Sequence, residues 1–168
     1  MFYNLNLITK KRLGVPGHPE RMFLEMFKEL GPHCQLYLAE FQNKTIAGIV
    51  VIKFKGQVLY GYGASDENYL LHRPNDLLIW TAIEESCQEG YELFDFGRTL
   101  PTERGLSMFK KKWGTEEKSL EYYYYPHVPK SMTLNRQGTK YKFATSIWKK
   151  IPLPLARVGS NIIFRYLG

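Results

Sequence analysis

Two rhythms of apolar residues divide the chain. Between Gln35 and Tyr62 they alternate with a period near two. Gln35–Phe41 (QLYLAEF), Thr45–Phe54 (TIAGIVVIKF) and Gln57–Tyr62 (QVLYGY) therefore read as strands. The joints at Gln42–Lys44 and Lys55–Gly56 are short enough for tight hairpins, so the strands form an antiparallel meander. Gly48, inside the second strand, marks either a bulge or a close approach of another segment to its backbone.

Elsewhere the rhythm lengthens to that of a helix. Met22, Phe23, Met26, Phe27 and Leu30 share one face of a helix from about Pro19 to Leu30, stopped by Gly31 and Pro32. A second helix runs to about Glu89, with Asn75 as its N-cap and Asp76 in its first turn. Its inner face is Leu78, Ile79, Ala82, Ile83, Ser86 and Cys87, and Gly90 ends it. Tyr91–Phe96 returns to period two as a short strand, so this part is a strand–helix–strand unit of right-handed connection. In the helix that stops at Gly114, Leu106, Phe109 and Trp113 form one stripe. Lys110 and Lys112 lie on its flanks, and Lys111 points away. Ser119–Tyr125, rich in tyrosine, reads as a final strand. Met1–Lys11 shows no clear element, and Arg12–Pro19 reads as a loop.

After Pro126 the pattern changes. His127–Gly138 is polar and reads as loop, and Thr139–Lys150 and Pro154–Leu167 read as two short amphipathic helices split by the IPLP at Ile151–Pro154. The elements together predict an α+β fold (a mixed α/β chain) with a central, mostly antiparallel twisted sheet and flanking helices. Residues 1–125 form one domain and 126–168 a basic, helical C-terminal extension.

Charge sharpens that division. Of the 168 residues, 1–121 hold 15 Lys/Arg and all 16 Asp/Glu, a net −1, whereas 122–168 hold 8 Lys/Arg and no acid. A nearly neutral body with a +8 tail points to a tail that meets an anionic surface. Trp148 and Phe164, among Lys149, Lys150, Arg157 and Arg165, suit a helix lying on a membrane surface. They suit equally a helix pair docked on the domain, or one deprived of a partner segment. Hydrophobic residues at 44% and aromatics at 15% exclude a disordered chain.

Cys34 and Cys87 have no metal-ligand spacing; Cys87 falls on the apolar side of its helix and reads as a buried thiol, and the expected compartment is a reducing cytoplasm. His18 and His33 fall in loops and read as solvated. No Walker A, GxSxG, HExxH or zinc pattern occurs, and no metal is expected. Chemistry concentrates instead between Tyr91 and Gly114. Asp95, near the end of an aromatic strand, needs a partner, and Arg98, Arg104 and Lys110 are within one loop and helix. The pairing is either structural or functional. Lys110 likewise either lays its stem on the apolar stripe or offers its ammonium to an anion.

Four segments carry a resemblance: LGVPGHPERMF (13–23), AGIVVIKFKGQVLYGYGAS (47–65), HRPNDLLIWTAIEESCQEGYELFDFGR (72–98) and GLSMFKKKWG (105–114). They resemble the GNAT acyltransferases over residues 12–125. Within that fold they resemble the Fem-type branch, the aminoacyl-tRNA-dependent transferases that build peptidoglycan cross-bridges. FDFGR and GLxxFKxxWG are the most specific of these signals.

The resemblance implies acyl or aminoacyl transfer to an amine of a peptidoglycan or polysaccharide precursor of the cell envelope. Lys110 would then stabilise the oxyanion that develops as the amine attacks, and Asp95 or a bound water would take the amine's proton. Phe109 and Trp113 would contact the acceptor, and Arg98 with the His72, Arg73 and Asn75 loop would line the same groove. The segment entering the central helix reads ASDENYLLHRPND instead of the glycine-rich loop that holds CoA pyrophosphate in acyl-CoA enzymes. The donor is accordingly acyl-CoA or aminoacyl-tRNA, with no tightly bound cofactor and RNA present only as donor tRNA. The chain matches the C-terminal of the two GNAT-like halves of a Fem-type protein. A second GNAT-like chain is therefore an expected partner, and a non-catalytic half-domain that binds precursor or partner is the alternative. RNA binding through Tyr122–Tyr125 and the basic tail is a third reading. The expected location is cytoplasmic, peripheral on the inner membrane face through residues 139–168.

Overall fold

Isoleucine and valine fill residues 49–52, and their stiffness at χ1 suits a pleated surface packed on both faces. In the computed structural model, which describes residues 1–127 and 138–167, this run is the centre of β2 (Lys44–Phe54). β1 (Cys34–Phe41) and β3 (Gln57–Ser65) pair antiparallel on either side of it, and β4 (Leu93–Asp95) pairs parallel with β3, giving the order β1-β2-β3-β4. The α+β sheet is thus mostly antiparallel.

The pleat sends alternate residues of β2 to two helix layers. Ile49 and Val51 meet α3 (Pro74–Gln88) through Leu78, Ile79 and Ala82, and Phe109 and Trp113 pack at the border of the same cluster. Val50 meets the other layer, made of α1 (Phe2–Leu13) and α2 (Glu20–Leu30), through Phe2, Tyr3, Leu5 and Phe23. Each fully buried aliphatic side chain here contributes about 1.5–3 kcal/mol of transfer free energy. α4 (Arg104–Lys111) follows β4.

Helix α1 corrects the expectation of no N-terminal element. Its buried residues, Phe2, Tyr3, Leu5, Asn6, Leu7 and Thr9, cover most of its circumference because it is wedged between the sheet and the C-terminal helices. Polar Asn6 and Thr9 interrupt what would otherwise be a readable stripe. Gly14, at φ 77, ends the helix, its N–H facing the carbonyls of Lys10 and Lys11.

Several local expectations change. α3 is capped by Arg73 in the left-handed region (φ 50), with Pro74 at the first helical position, so Asn75 is not the cap. Cys34 is buried but Cys87 is exposed, one helical step round from buried Ser86. His33 is exposed, whereas His18 is enclosed by the rings of Phe23, Tyr62 and Phe164, with centroids 6.1, 5.1 and 5.2 Å away. Residues 119–125 form no strand, and the tyrosines there are exposed. Gly48 is a close approach and not a bulge: a Cβ there would lie 2.8 Å from the Phe2 ring. One register shift falls between Val50 and Val51, which face Tyr62 and Tyr60, so Gly61 is the extra residue of a bulge in β3.

After Pro126, residues 128–137 of the expected loop lie outside the described residues. α5 (Thr139–Lys150) and α6 (Leu153–Leu167) come next. The inner face of α6, Ala156 and Ser160, is fully buried, and the Gly17 N–H donates to Ser160 Oγ at 3.0 Å. Arg157 donates to Asn4 Oδ1 at 2.7 Å and lays its guanidinium over the Tyr3 ring. This end of the helix pair is docked on the body. Among the described residues no helix is long and apolar enough to cross a membrane.

Candidate active site

β4 accompanies β3 only as far as Asp95, which faces Leu59. β3 then runs on to Ser65, and among the described residues no strand pairs with that free edge. The bulge at Gly61 falls at this parting. An opening is left at the carboxyl ends of the two parallel strands, the place where open sheets with such strands bind ligands.

One side of the opening is the loop after β4. Asp95 Oδ1 accepts the Gly97 N–H at 2.6 Å, a local turn that Gly97 completes at φ 65. Lys110 of α4 reaches back so that its Nζ donates to the carbonyls of Gly97 (2.7 Å) and Arg98 (3.2 Å). Burial lowers the Lys110 pKa, and the negative charges of Asp95 and Glu103 oppose that shift. Arg98 donates to the Tyr122 hydroxyl at 2.9 Å. The sequence thus grouped Asp95, Arg98 and Lys110, and the structure brings them together around one loop. Two of the three Lys110 N–H groups hold that loop, leaving one for a ligand.

Phe109 and Trp113 pack against the core, and Trp113 stacks on Phe96 at 6.2 Å. The Trp113 Nε1 and Thr99 Oγ1 are buried with no partner among the described residues. The other predicted residues gather where α3 begins. Arg73 caps the helix, Asn75 Nδ2 donates to Ser65 Oγ at 3.4 Å, and His72 stacks on Phe41 at 4.3 Å. Phe41 belongs to β1, at the opposite edge of the sheet from β4, so His72 is set apart from Asp95 and Lys110. Lys112 joins the two groups. Its ammonium sits 4.5 Å over Phe109 and pairs at 2.5 Å with Asp76 in the first turn of α3.

Sequence reasoning missed Tyr60. Its hydroxyl occupies the space a Cβ would need at Gly63, so Gly63 must be glycine for the ring to lie there. Burial pushes the Tyr60 hydroxyl up to about 12, and it stays protonated at neutral pH. The signal was present in YGYG (60–63), where two glycines alternate with two rings inside one strand. Among the described residues no cluster of His, Cys, Asp and Glu could hold a metal ion.

The acetyltransferase (GNAT) domain family, Acetyltransf_6, matches residues 4–111. The chain belongs to the GNAT acetyltransferases. Solved structures of this GNAT fold include an aminoglycoside acetyltransferase, meta-AAC0020, from an uncultured soil metagenomic sample, in complex with trehalose. It is 16% identical over 72% of this chain and 85% of its own, with a TM-score of 0.57. The aminoglycoside acetyltransferase AAC(6′)-Iy, in complex with a bisubstrate analog of CoA and acetylneamine, is 15% identical over 73% and 92%, with a TM-score of 0.56. A probable acetyltransferase is 15% identical over 75% and 89%, with a TM-score of 0.55. At these identities the likeness is one of fold. The comparison with curated proteins returns no match.

Proposed function

We propose that this GNAT domain transfers an acyl group from acyl-CoA to a primary amine of a cell-envelope precursor, in the manner of the Fem-like branch. The observation that carries the reading is the free edge of β3 beside the opening left by β4. An extended amide-bearing arm such as the pantetheine of CoA can add to such an edge as an extra strand. AAC(6′)-Iy, which shares the fold, is held with a CoA bisubstrate analog. The start of α3 offers its backbone N–H groups, with Arg73 beside them, to the pyrophosphate, and Lys112 offsets the charge of Asp76 there. Aminoacyl-tRNA is the alternative donor.

In the proposed reaction the amine nitrogen attacks the thioester carbonyl, a C–N bond forms and the C–S bond breaks. The free N–H of Lys110 and the backbone N–H groups along the open edge of β3 stabilise the oxyanion. Asp95, directly or through a water, takes the amine's proton. The Tyr60 hydroxyl returns a proton to the departing thiolate. Arg98, Asn75 and Arg73 border the acceptor and donor, while Phe109 and Trp113 hold α4 in place. Lys110→Ala should lower kcat about 10²-fold with little change in fold, read from acetyl-CoA turnover and circular dichroism. An unchanged kcat would remove Lys110 from the mechanism.

A second reading, a partner-binding half-domain, draws on Leu71, Leu77 and Trp80, which are exposed around the start and outer side of α3. Size-exclusion chromatography with a second GNAT-like chain separates the readings. A stand-alone monomer that turns over substrate rules this one out. Peripheral membrane contact draws on Phe143 and Ile147 of α5 and on Leu155, Val158 and Ile162 of α6, exposed in a segment without acids.

A further inference from the structure

The C-terminal end of α1 and the joint between α5 and α6 border an open cavity of about 420 Å³ that the proposed reaction does not use. Ile8 and Leu153 give it apolar walls, while Lys11, Arg12 and Lys149 bring three cations against one carboxylate, Glu67. Those cations are held in place with much of their charge left over. Lys11 Nζ donates to the Lys149 carbonyl at 2.9 Å, a neutral acceptor. Arg12 Nε stands 3.8 Å from Glu67, with both side chains substantially exposed, a loose pair that offsets little. The Lys149 stem lies against Gly14: a Cβ there would come within 3.1 Å of Lys149 Cε and 2.9 Å of the Thr145 carbonyl. The glycine that ends α1 therefore also lets α5 close over the cavity.

The cavity lies beside the C-terminal end of β3. Thr9, one residue from Ile8, exchanges two hydrogen bonds with Ser65, the last residue of β3, at 3.2 and 3.1 Å. Glu67 follows Ser65 by two residues. Ser65 stands six residues beyond Leu59, the residue opposite Asp95, roughly 20 Å along the strand, so an acceptor that fills the cavity and presents its amine to Asp95 and Lys110 is an extended one. Three cations on two helices, with space between them and one carboxylate to orient a hydroxyl, match a phosphate or pyrophosphate better than a single carboxylate.

We propose that this cavity is an acceptor subsite for a phosphate or pyrophosphate group, so that the acceptor is a phosphorylated amine. This rests on the reading of the opening as an amine-acylating site. Binding, however, can be measured without turnover. Titration of the full chain with inorganic pyrophosphate by calorimetry, with CoA present to fill the start of α3, should give one site. Its affinity should fall at least tenfold in Lys11→Ala and in Lys149→Ala, a half-buried and an exposed position that lie outside the two apolar clusters. No binding, or binding equal in the wild type and both variants, overturns the proposal whether or not the enzyme acylates anything. Conversely, a normal pyrophosphate site in a chain that never consumes acetyl-CoA overturns the acylation reading alone.

Where turnover is measured, pyrophosphate should compete with the amine acceptor and not with acetyl-CoA. Competition with acetyl-CoA would place the anion at α3 and sink the proposal. Vesicles of phosphatidylglycerol that displace pyrophosphate would assign the phosphate to a lipid headgroup, and failure to displace it would assign it to a soluble acceptor.

Discussion

The two faces of the sheet are built differently. On the α3 face, Ile49, Val51, Val58, Ile79 and Ala82 are fully buried and form one apolar cluster. On the α1 face, Val50 and Ala64 share their layer with buried polar groups. Asn6 is 1% exposed with neither amide atom paired among the described residues, and Thr9 is tied to Ser65. His18 stands among three rings with its Nδ1 unpartnered among the described residues. The first face is where packing holds the fold. Its buried polar side chains, Lys53 and Ser86, are paired with Glu89 and the Ala82 carbonyl, whereas the second face leaves Asn6 and His18 Nδ1 unpaired among the described residues, and it is where α1 and the C-terminal helices meet around a cationic cavity. The molecule separates the layer that stabilises from the layer that is free to recognise.

That contrast can be broken most sharply at Ile79. Ile79→Ala should cost about 3–4 kcal/mol, read as a lower urea midpoint at unchanged m, because the cavity cannot collapse within a fully packed layer. A loss under about 1 kcal/mol would show the α3 face to be loosely packed. Asn6→Leu tests the opposite face. Removing a buried, unpaired amide for an isosteric apolar side chain should raise stability by about 1 kcal/mol. Destabilisation would mean that the amide has a partner, such as an ordered water, and that this face is as well satisfied as its counterpart.

The smallest effect concerns pH. Burial, reinforced by the charge of Lys10, holds the His18 pKa below its usual value near 6.5. The unfolded chain therefore binds the proton first. The stability that His18 contributes is complete above about pH 6.5 and is lost as pH falls toward and through the depressed folded value. His18→Phe should flatten the wild-type decline in melting temperature across that window. An unaltered decline would shift the cause to other groups.

The α3 face was also the more legible in sequence. Its meander and helix repeat apolar residues at clean periods of two and 3.6, so β1, β2 and α3 could be read almost to their ends. Lys110 was readable because it sits on the flank of the Leu106, Phe109 and Trp113 stripe. The α1 face resisted. Leu5 and Leu7 alternate as a strand would, and Asn6 and Thr9 occupy buried positions where a stripe should show apolar residues. The cavity was invisible for a simpler reason: Lys11 and Lys149 meet across 138 positions of sequence. The position of Asn75 misled because Pro74 is pre-organised for a first helical turn, which moves the cap back to Arg73.

Gly61 carries a consequence for how the chain tolerates length changes. Before it, Val58 and Tyr60 belong to the α3 layer; after it, Tyr62 and Ala64 belong to the α1 layer. One inserted residue has inverted the parity of the strand, so the same alternating string serves opposite layers in its two halves. Deleting Gly61 alone would turn Tyr62 and Ala64 out of their cluster and remove the offset that seats Tyr60 on Gly63. A second single-residue change farther along β3 could restore the parity of the residues beyond it, but could not restore that seat. The strand therefore accepts compensated changes at its end and none at its middle.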